Sequence, residues 1–150
     1  MTEIRIRLAG LADVAQIAPL FDAYRQFYEQ APDLTQVTSF IVARLQNRES
    51  TILLAHDASG AAIGFCQMYP SFCSVLARPV LVLYDLFVTP EARRTGAGRA
   101  LLLAAETHAR ANGFARMDLT TAKTNVRAQT LYRSLGWVKD DVFEAYNLTL

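Results

Sequence analysis

Leu81-Val82-Leu83-Tyr84-Asp85-Leu86-Phe87-Val88-Thr89-Pro90-Glu91-Ala92-Arg93-Arg94-Thr95-Gly96-Ala97-Gly98-Arg99-Ala100-Leu101-Leu102 is the stretch from which the rest of the chain can be read. Its first eight residues form a nearly unbroken apolar run, the pattern of a strand covered on both faces. Thr89-Pro90 stops that run, and Gly96–Asn112 then reads as a helix that Gly113 terminates. A strand thus passes through a short basic loop directly into a helix. The first N–H groups of such a helix have no partner within it and its dipole is positive there, so the junction attracts anions. Gly96 and Gly98 let the backbone approach a ligand without an intervening side chain, and Arg93 and Arg94 add charge. A pyrophosphate is the natural guest. A tight turn alone would account for the two glycines but for neither the arginines nor the strand. Other phosphate loops fit worse: GxxxxGK[ST] is absent, and Leu101 stands where the third glycine of GxGxxG belongs.

Outward from this stretch, Ile4, Ile6 and Leu8 alternate with Arg5 and Arg7, predicting a strand with one buried face. Asp13 is placed to cap a helix in which Val14, Ile17, Phe21, Tyr24 and Tyr28 recur at steps of three and four, with Pro32 ending it. A second helix starts near Asp33 or Thr35, with Val37, Phe40, Ile41 and Leu45 on one stripe. Ile52–Ala55 and Ala62–Tyr69 read as strands joined by the turn residues Asp57-Ala58-Ser59-Gly60. Arg116–Thr121 reads as a short strand, Asn125–Ser134 as a helix ended by Gly136, and Phe143–Leu150 as a final strand. Two helices, a meander and then a βαβ unit indicate a mixed sheet in one α/β domain spanning residues 1–150.

Composition narrows the class. With 150 residues, 52% apolar and 19% charged, the chain suits one compact domain and not a disordered one. A net charge of +1 gives no general case for nucleic acid or an anionic membrane as partner. No apolar stretch approaches the roughly 20 residues that span a bilayer. Met1–Arg5 has no apolar core of a signal peptide. Cys66 and Cys73 match no zinc or CxxC spacing and read as reduced thiols of a cytoplasmic protein. His56 and His108 lack partners at metal-binding spacing, so no metal is expected.

Two motifs carry a resemblance. Arg93-x-x-Gly96-x-Gly98 after a buried strand is similar to the [RQ]xxGx[GA] signature of the GNAT superfamily of N-acetyltransferases. Asn125-Val126-Arg127-Ala128-Gln129-Thr130-Leu131-Tyr132-Arg133-Ser134-Leu135-Gly136-Trp137 resembles its second hallmark, N-x-x-A-x-x-L-Y-x-x-x-G-[FW]. The resemblance covers essentially the whole chain and looks nearest to the yeast histone/polyamine and diamine acetyltransferase branches. It implies an α/β fold: a mixed, mostly antiparallel sheet with a central splayed parallel strand pair and four flanking helices.

It also implies acetyl-CoA as co-substrate and a primary amine, on a small molecule or a lysine-like side chain, as acceptor. Pantetheine would lie between the strands Leu81–Val88 and Arg116–Thr121, pairing with backbone near Leu86 and Val88. An N–H near Phe87 would hold the oxyanion of the tetrahedral intermediate. The pyrophosphate would rest on Arg93, Arg94, Thr95, Gly96, Ala97 and Gly98, with Arg99 following, and Asn125 would contact the cofactor arm. Tyr132 would protonate the leaving thiolate; a core aromatic is the competing reading of that residue, as an N-cap is of Asn125. The base is Tyr84, Asp85, a water chain or a residue outside the motif. Related diamine enzymes carry Glu at the Tyr84 position, and a neutral tyrosine is a poor base. A non-catalytic acyl-CoA-binding module and a peptide or protein N-terminal acetyltransferase stand as alternatives.

Asp13, Asp22, Glu29 and Asp33 outnumber Arg25 in residues 11–35, which suits a cationic amine or is simply a solvated surface. The first two helices build the acceptor pocket in the family, so the outer members of the Phe21, Tyr24, Tyr28 stripe would line it. The apolar strand with Phe143, Tyr146, Leu148 and Leu150 would present an edge for pairing, which together with the resemblance implies a homodimer.

Overall fold

The computed structural model describes residues 3–150. Met1 and Thr2, which open the stretch read above for a signal peptide, lie outside the described residues. The elements are β1 (Arg5–Leu8), α1 (Val14–Phe27), α2 (Leu34–Gln46), β2 (Thr51–His56), β3 (Ala62–Cys73), β4 (Arg78–Val88), α3 (Ala97–Ala111), β5 (Met117–Asp118) and α4 (Val126–Ser134). The strands form one mixed sheet in sequence order. β1 to β4 run antiparallel, as short connections allow, and α3 carries the chain over to a parallel β5. This is the expected α/β class. The chain groups into two compact units, one ending at Leu119 with the whole sheet and α1–α3, the other Thr120–Leu150 with α4.

In the first unit, period-2 alternation divides the strand residues between two faces. Ile52, Leu54, Phe65 and Phe87 meet Ile17, Leu20 and Phe21 of α1 and Val37 and Ile41 of α2. The intervening Leu53, Ala55 and Cys66 are buried too, and α3, which contacts β2, β3 and β4, buries Leu101, Leu102, Ala105 and Ala109. Two sequence expectations are corrected here. α1 stops at Phe27, with Tyr28 as its C-cap and Glu29 at φ 63, so a left-handed residue ends the helix before Pro32 is reached. Asp13 does not cap α1 with its side chain. Its carboxylate turns back to the Gly10 amide at 2.8 Å and to the Arg7 guanidinium, which holds its pKa down at about 2. Asp33, by contrast, caps α2 by accepting from the Gln36 amide at 3.0 Å.

The C-terminal strand is also corrected. Residues 143–150 form no strand and lie exposed, and the strand expected over Arg116–Thr121 contracts to Met117–Asp118. Alternation marks a segment that can pair, but a strand exists only where a neighbour takes its backbone groups. As a result the parallel pair closes one side of the sheet instead of lying at its centre.

Gly64 fixes how closely β3 and β4 approach. It pairs with Val88, and a Cβ added there would lie 2.7 Å from the Phe87 carbonyl oxygen and 3.3 Å from the Val88 Cα. Backbone atoms cannot rotate aside. Gly64→Ala should therefore destabilise the fold by roughly 1–3 kcal/mol, the usual cost of overpacking. Denaturant midpoints measure this, and an unchanged midpoint would show that the strands separate at no cost.

Candidate active site

The site grows out of an irregularity in β4. Gln67 pairs with Asp85 but Met68 pairs with Leu83, so Tyr84 is an extra residue with no partner on β3. A bulge of this kind shifts the alternation of the strand by one. Beyond it Asp85 and Phe87 face α1 and are buried, while the Tyr84 ring is 67% exposed. The apolar run is therefore not covered evenly on both faces. Backbone groups shift with the side chains. The Thr89 amide donates to Ile63 O at 2.9 Å, so by antiparallel alternation the amides of Phe87 and Asp85 also point at β3. Those of Leu86 and Val88 point the other way.

That other side is open. The β4–β5 ladder consists of Leu81↔Met117 and Val82↔Asp118 and then stops, leaving the rest of β4 without a strand partner there among the described residues. Two donors reach its carbonyls: the Tyr24 hydroxyl lies 3.5 Å from Tyr84 O, and Arg93 Nε donates to Val88 O at 3.2 Å. Arg93 is thus turned back along β4, its guanidinium 5.7 Å from the Phe27 ring centre and 5.9 Å from that of Phe87.

The open edge leads straight into the basic loop. A 3₁₀ turn over Pro90–Ala92 is followed by Arg94 at φ 65 and Gly96 at φ 90, and Thr95 Oγ1 donates to Ala92 O at 2.6 Å. Left-handed backbone suits Gly96 and strains Arg94, as is common where a loop is shaped for a ligand. Gly96 is the N-cap of α3 and has no side chain to satisfy the first turn. The start of α3 at Ala97 and Gly98 therefore keeps its partial positive charge for an outside anion, beside the exposed Arg93, Arg94 and Arg99.

Behind the bulge lies a polar chain in an apolar setting. Asp85 is 5% exposed and accepts from Gln67 Nε2 at 2.9 Å, and Gln67 Oε1 accepts from Ser50 Oγ at 2.9 Å. The Tyr24 hydroxyl completes the set by hydrogen-bonding Asp85. Burial pushes the Asp85 carboxyl above the usual carboxylate range, against the pull of Gln67 and Tyr24. Burial also pushes the Tyr69 hydroxyl up, and the Cys66 thiol to about 12. Tyr84 packs edge-on against Tyr69 with ring centres 5.5 Å apart.

The structure therefore brings Tyr84, Asp85, Leu86, Val88 and the loop Arg93–Arg99 into one region of the first unit, with Phe87 turned to β3. Asn125 and Tyr132 belong to the second unit. There Asn125 Oδ1 caps α4 from the Ala128 amide at 3.2 Å, and Tyr132 lies two turns further on, 6.2 Å from the Trp137 ring. Gln67 and Ser50 were not singled out by the sequence reading. The signal for Gln67 was a lone amide inside an apolar strand; Ser50 had none. His56 is buried against Gln16 at 2.8 Å. Among the described residues, no group of three His, Cys, Asp or Glu is placed to hold a metal, and no helix is long and apolar enough to cross a membrane.

A mixed sheet whose fourth and fifth strands part above a basic loop and helix start defines the α/β acetyltransferase class. The model of the acetyltransferase (GNAT) family matches residues 16–137. The chain is 46% identical over 147 residues to an uncharacterized N-acetyltransferase, YhfO, of Bacillus subtilis (strain 168), with 98% of each covered. The crystal structure of a probable acetyltransferase superposes with a TM-score of 0.91 at 38% identity over 97% of each chain. An aminoglycoside N-acetyltransferase in complex with CoA shares the fold, with a TM-score of 0.82 at 19% identity, over 100% of this chain and 97% of that one. The chain belongs to the acetyltransferase (GNAT) family and is an acetyl-transferring enzyme.

Proposed function

We propose that residues 1–150 act as one N-acetyltransferase domain that moves the acetyl group of acetyl-CoA to a primary amine by direct attack through a tetrahedral intermediate. The observation that carries this is the open edge of β4 running into the uncapped start of α3. An extended pantetheine adds to that edge through Leu86 and Val88, as a peptide adds to a sheet. Its pyrophosphate meets the helix start and the charge of Arg93, Arg94 and Arg99. The parity of β4 favours the Leu86 amide over that of Phe87 as the oxyanion donor. Of the two candidate bases on β4, Asp85, buried and with its pKa raised, is the better, with Tyr84 as its exposed neighbour. From the second motif, Asn125 contacts the cofactor arm and Tyr132 gives the leaving thiolate its proton.

The acceptor is a small polyamine-like or lysine-like amine. The acidic residues of α1 and its following loop support a cation, and so does the polycationic substrate class named for the aminoglycoside relative. The histone/polyamine and diamine branches that the sequence resembles share this chemistry. Acetyl-CoA with a panel of diamines, polyamines, aminoglycosides and lysine peptides should release thiol with at least one of them. Tyr132→Phe should bind CoA normally yet lower kcat by about 10²–10⁴, the usual contribution of a general acid. CoA binding without turnover of any amine would instead favour the non-catalytic module, to which the Tyr84 substitution points. Wild-type kcat in Tyr132→Phe would return that residue to the core.

We further propose a homodimer in the cytoplasm. Free Cys66 and Cys73 suit a reducing compartment. Val142, Phe143, Tyr146, Leu148 and Leu150 are 79–110% exposed at the C-terminus, and Tyr146, Leu148 and Leu150 alternate as a strand does. A second copy of the chain, pairing through this segment, would cover a row of apolar side chains that a monomer leaves in water. Light scattering at micromolar concentration should give twice the chain mass, falling to the monomer on removal of residues 143–150. A monomeric mass for the intact chain would reject the dimer.

A further inference from the structure

Tyr24 lies at the junction of two features already described. Its ring packs against Phe65 and Phe87, with ring centres 5.9 and 6.1 Å away, which fixes the side chain over β4. Its hydroxyl hydrogen-bonds the buried Asp85 carboxyl and stands 3.5 Å from Tyr84 O. That carbonyl is on the open edge of β4, adjacent to the Leu86 amide. The hydroxyl is therefore the one side-chain group in this set that touches both the sequestered carboxyl and the edge where the thioester is proposed to lie.

We infer that Tyr24 is the group that meets the acceptor amine, and that it passes the amine's proton inward to Asp85. The inference rests on the proposed amine acetylation. A hydroxyl has one proton and two lone pairs. With Asp85 ionised, Tyr24 donates to the carboxylate and offers a lone pair to the incoming ammonium. The ammonium proton moves to the Tyr24 oxygen as the Tyr24 proton moves to Asp85. The products are a neutral amine, an unchanged tyrosine and a protonated carboxyl. Tyr24 then accepts from Asp85 and donates to Tyr84 O. No other reactant is needed, and Asp85 returns its proton to solvent after turnover. A buried carboxyl has no direct access to a bulky amine, so a relay at its surface resolves how Asp85 can act as base. Gln67, backed by Ser50, holds the carboxyl towards Tyr24 and is a positioning residue.

The groups that set the pH behaviour are few. Asp85 responds to burial, Gln67 and Tyr24. Cys66 and Tyr69 on β3 feel its charge, Tyr69 also feels Tyr84, and Arg44 in the last turn of α2 and Glu49 just after that helix act on Tyr69. An amine of pKa about 10 is mostly protonated at neutral pH and needs the relay there, but not near its own pKa.

Tyr24→Phe keeps the ring and removes only the hydroxyl. Its kcat/KM for an amine found by the panel should fall about 10–100-fold at pH 7, and the deficit should shrink as pH approaches 10. A second readout does not need turnover: the Asp85 side-chain carboxyl, followed by ¹³C NMR, should titrate at higher pH in Tyr24→Phe than in the wild type, because a donor to the ionised form is lost. Wild-type rates, or a loss that is equal at every pH, would overturn the relay. So would an Asp85 titration that the substitution leaves unmoved. If the wild-type chain acetylates no amine, the proposed function fails, and the NMR titration still decides whether the hydroxyl and the carboxyl share a proton.

Discussion

The arrangement depends on one constraint: β4 is paired with β3 along one side, while beyond Val82 its other side has no strand partner among the described residues. A buried amide or carbonyl without a partner costs about as much as a lost hydrogen bond, so an open edge is unusual inside a sheet. Here the two-residue β5 ends the ladder early, and the bulge at Tyr84 decides which groups the edge presents. The same one-residue shift turns Asp85 into the core, exposes Tyr84 and aims the Leu86 and Val88 amides outward. A regular β4 would have put the amides of Asp85 and Phe87 on the edge. Gly64 contributes from the neighbouring strand, since only a residue without Cβ lets β3 follow β4 this closely beside Val88.

Electrostatics follow from the same strand. β4 delivers the chain into a loop whose left-handed residues, Arg94 and Gly96, bring α3 in without a capping side chain. The helix dipole and three arginines make this end positive, while the carboxyl behind the bulge is kept from water and biased towards its neutral form. A positive end and a buried carboxyl are thus set on one strand and its loop, and the proposed function assigns the first to an anion, the second to a proton and the stretch between them to acyl transfer.

The sequence made this region legible because its signals are local. An apolar run, two arginines, two glycines and a helical period fall within 22 residues, and the structure places the strand, loop and helix within a few residues of the expected bounds. Asn125 as the cap of α4 was legible for the same reason. What was not legible depends on partners distant in sequence. The bulge exists only in the register between β3 and β4, so the run Leu81–Val88 could not reveal that its parity changes at Tyr84 or that Phe87 turns from the edge. The Ser50–Gln67–Asp85–Tyr24 chain joins residues up to 61 positions apart. The C-terminal segment erred in the opposite sense: its alternation is real, but alternation does not supply a neighbour.

Amide hydrogen exchange across β4 tests the central claim most directly. In the free protein the Leu86 and Val88 amides should exchange far faster than that of Phe87, which is bonded to β3. Adding CoA should protect Leu86 and Val88 and leave Phe87 unchanged. Leu86 and Val88 amides already as protected as Phe87 without CoA, or indifferent to saturating CoA, would contradict the open edge as the seat of the cofactor.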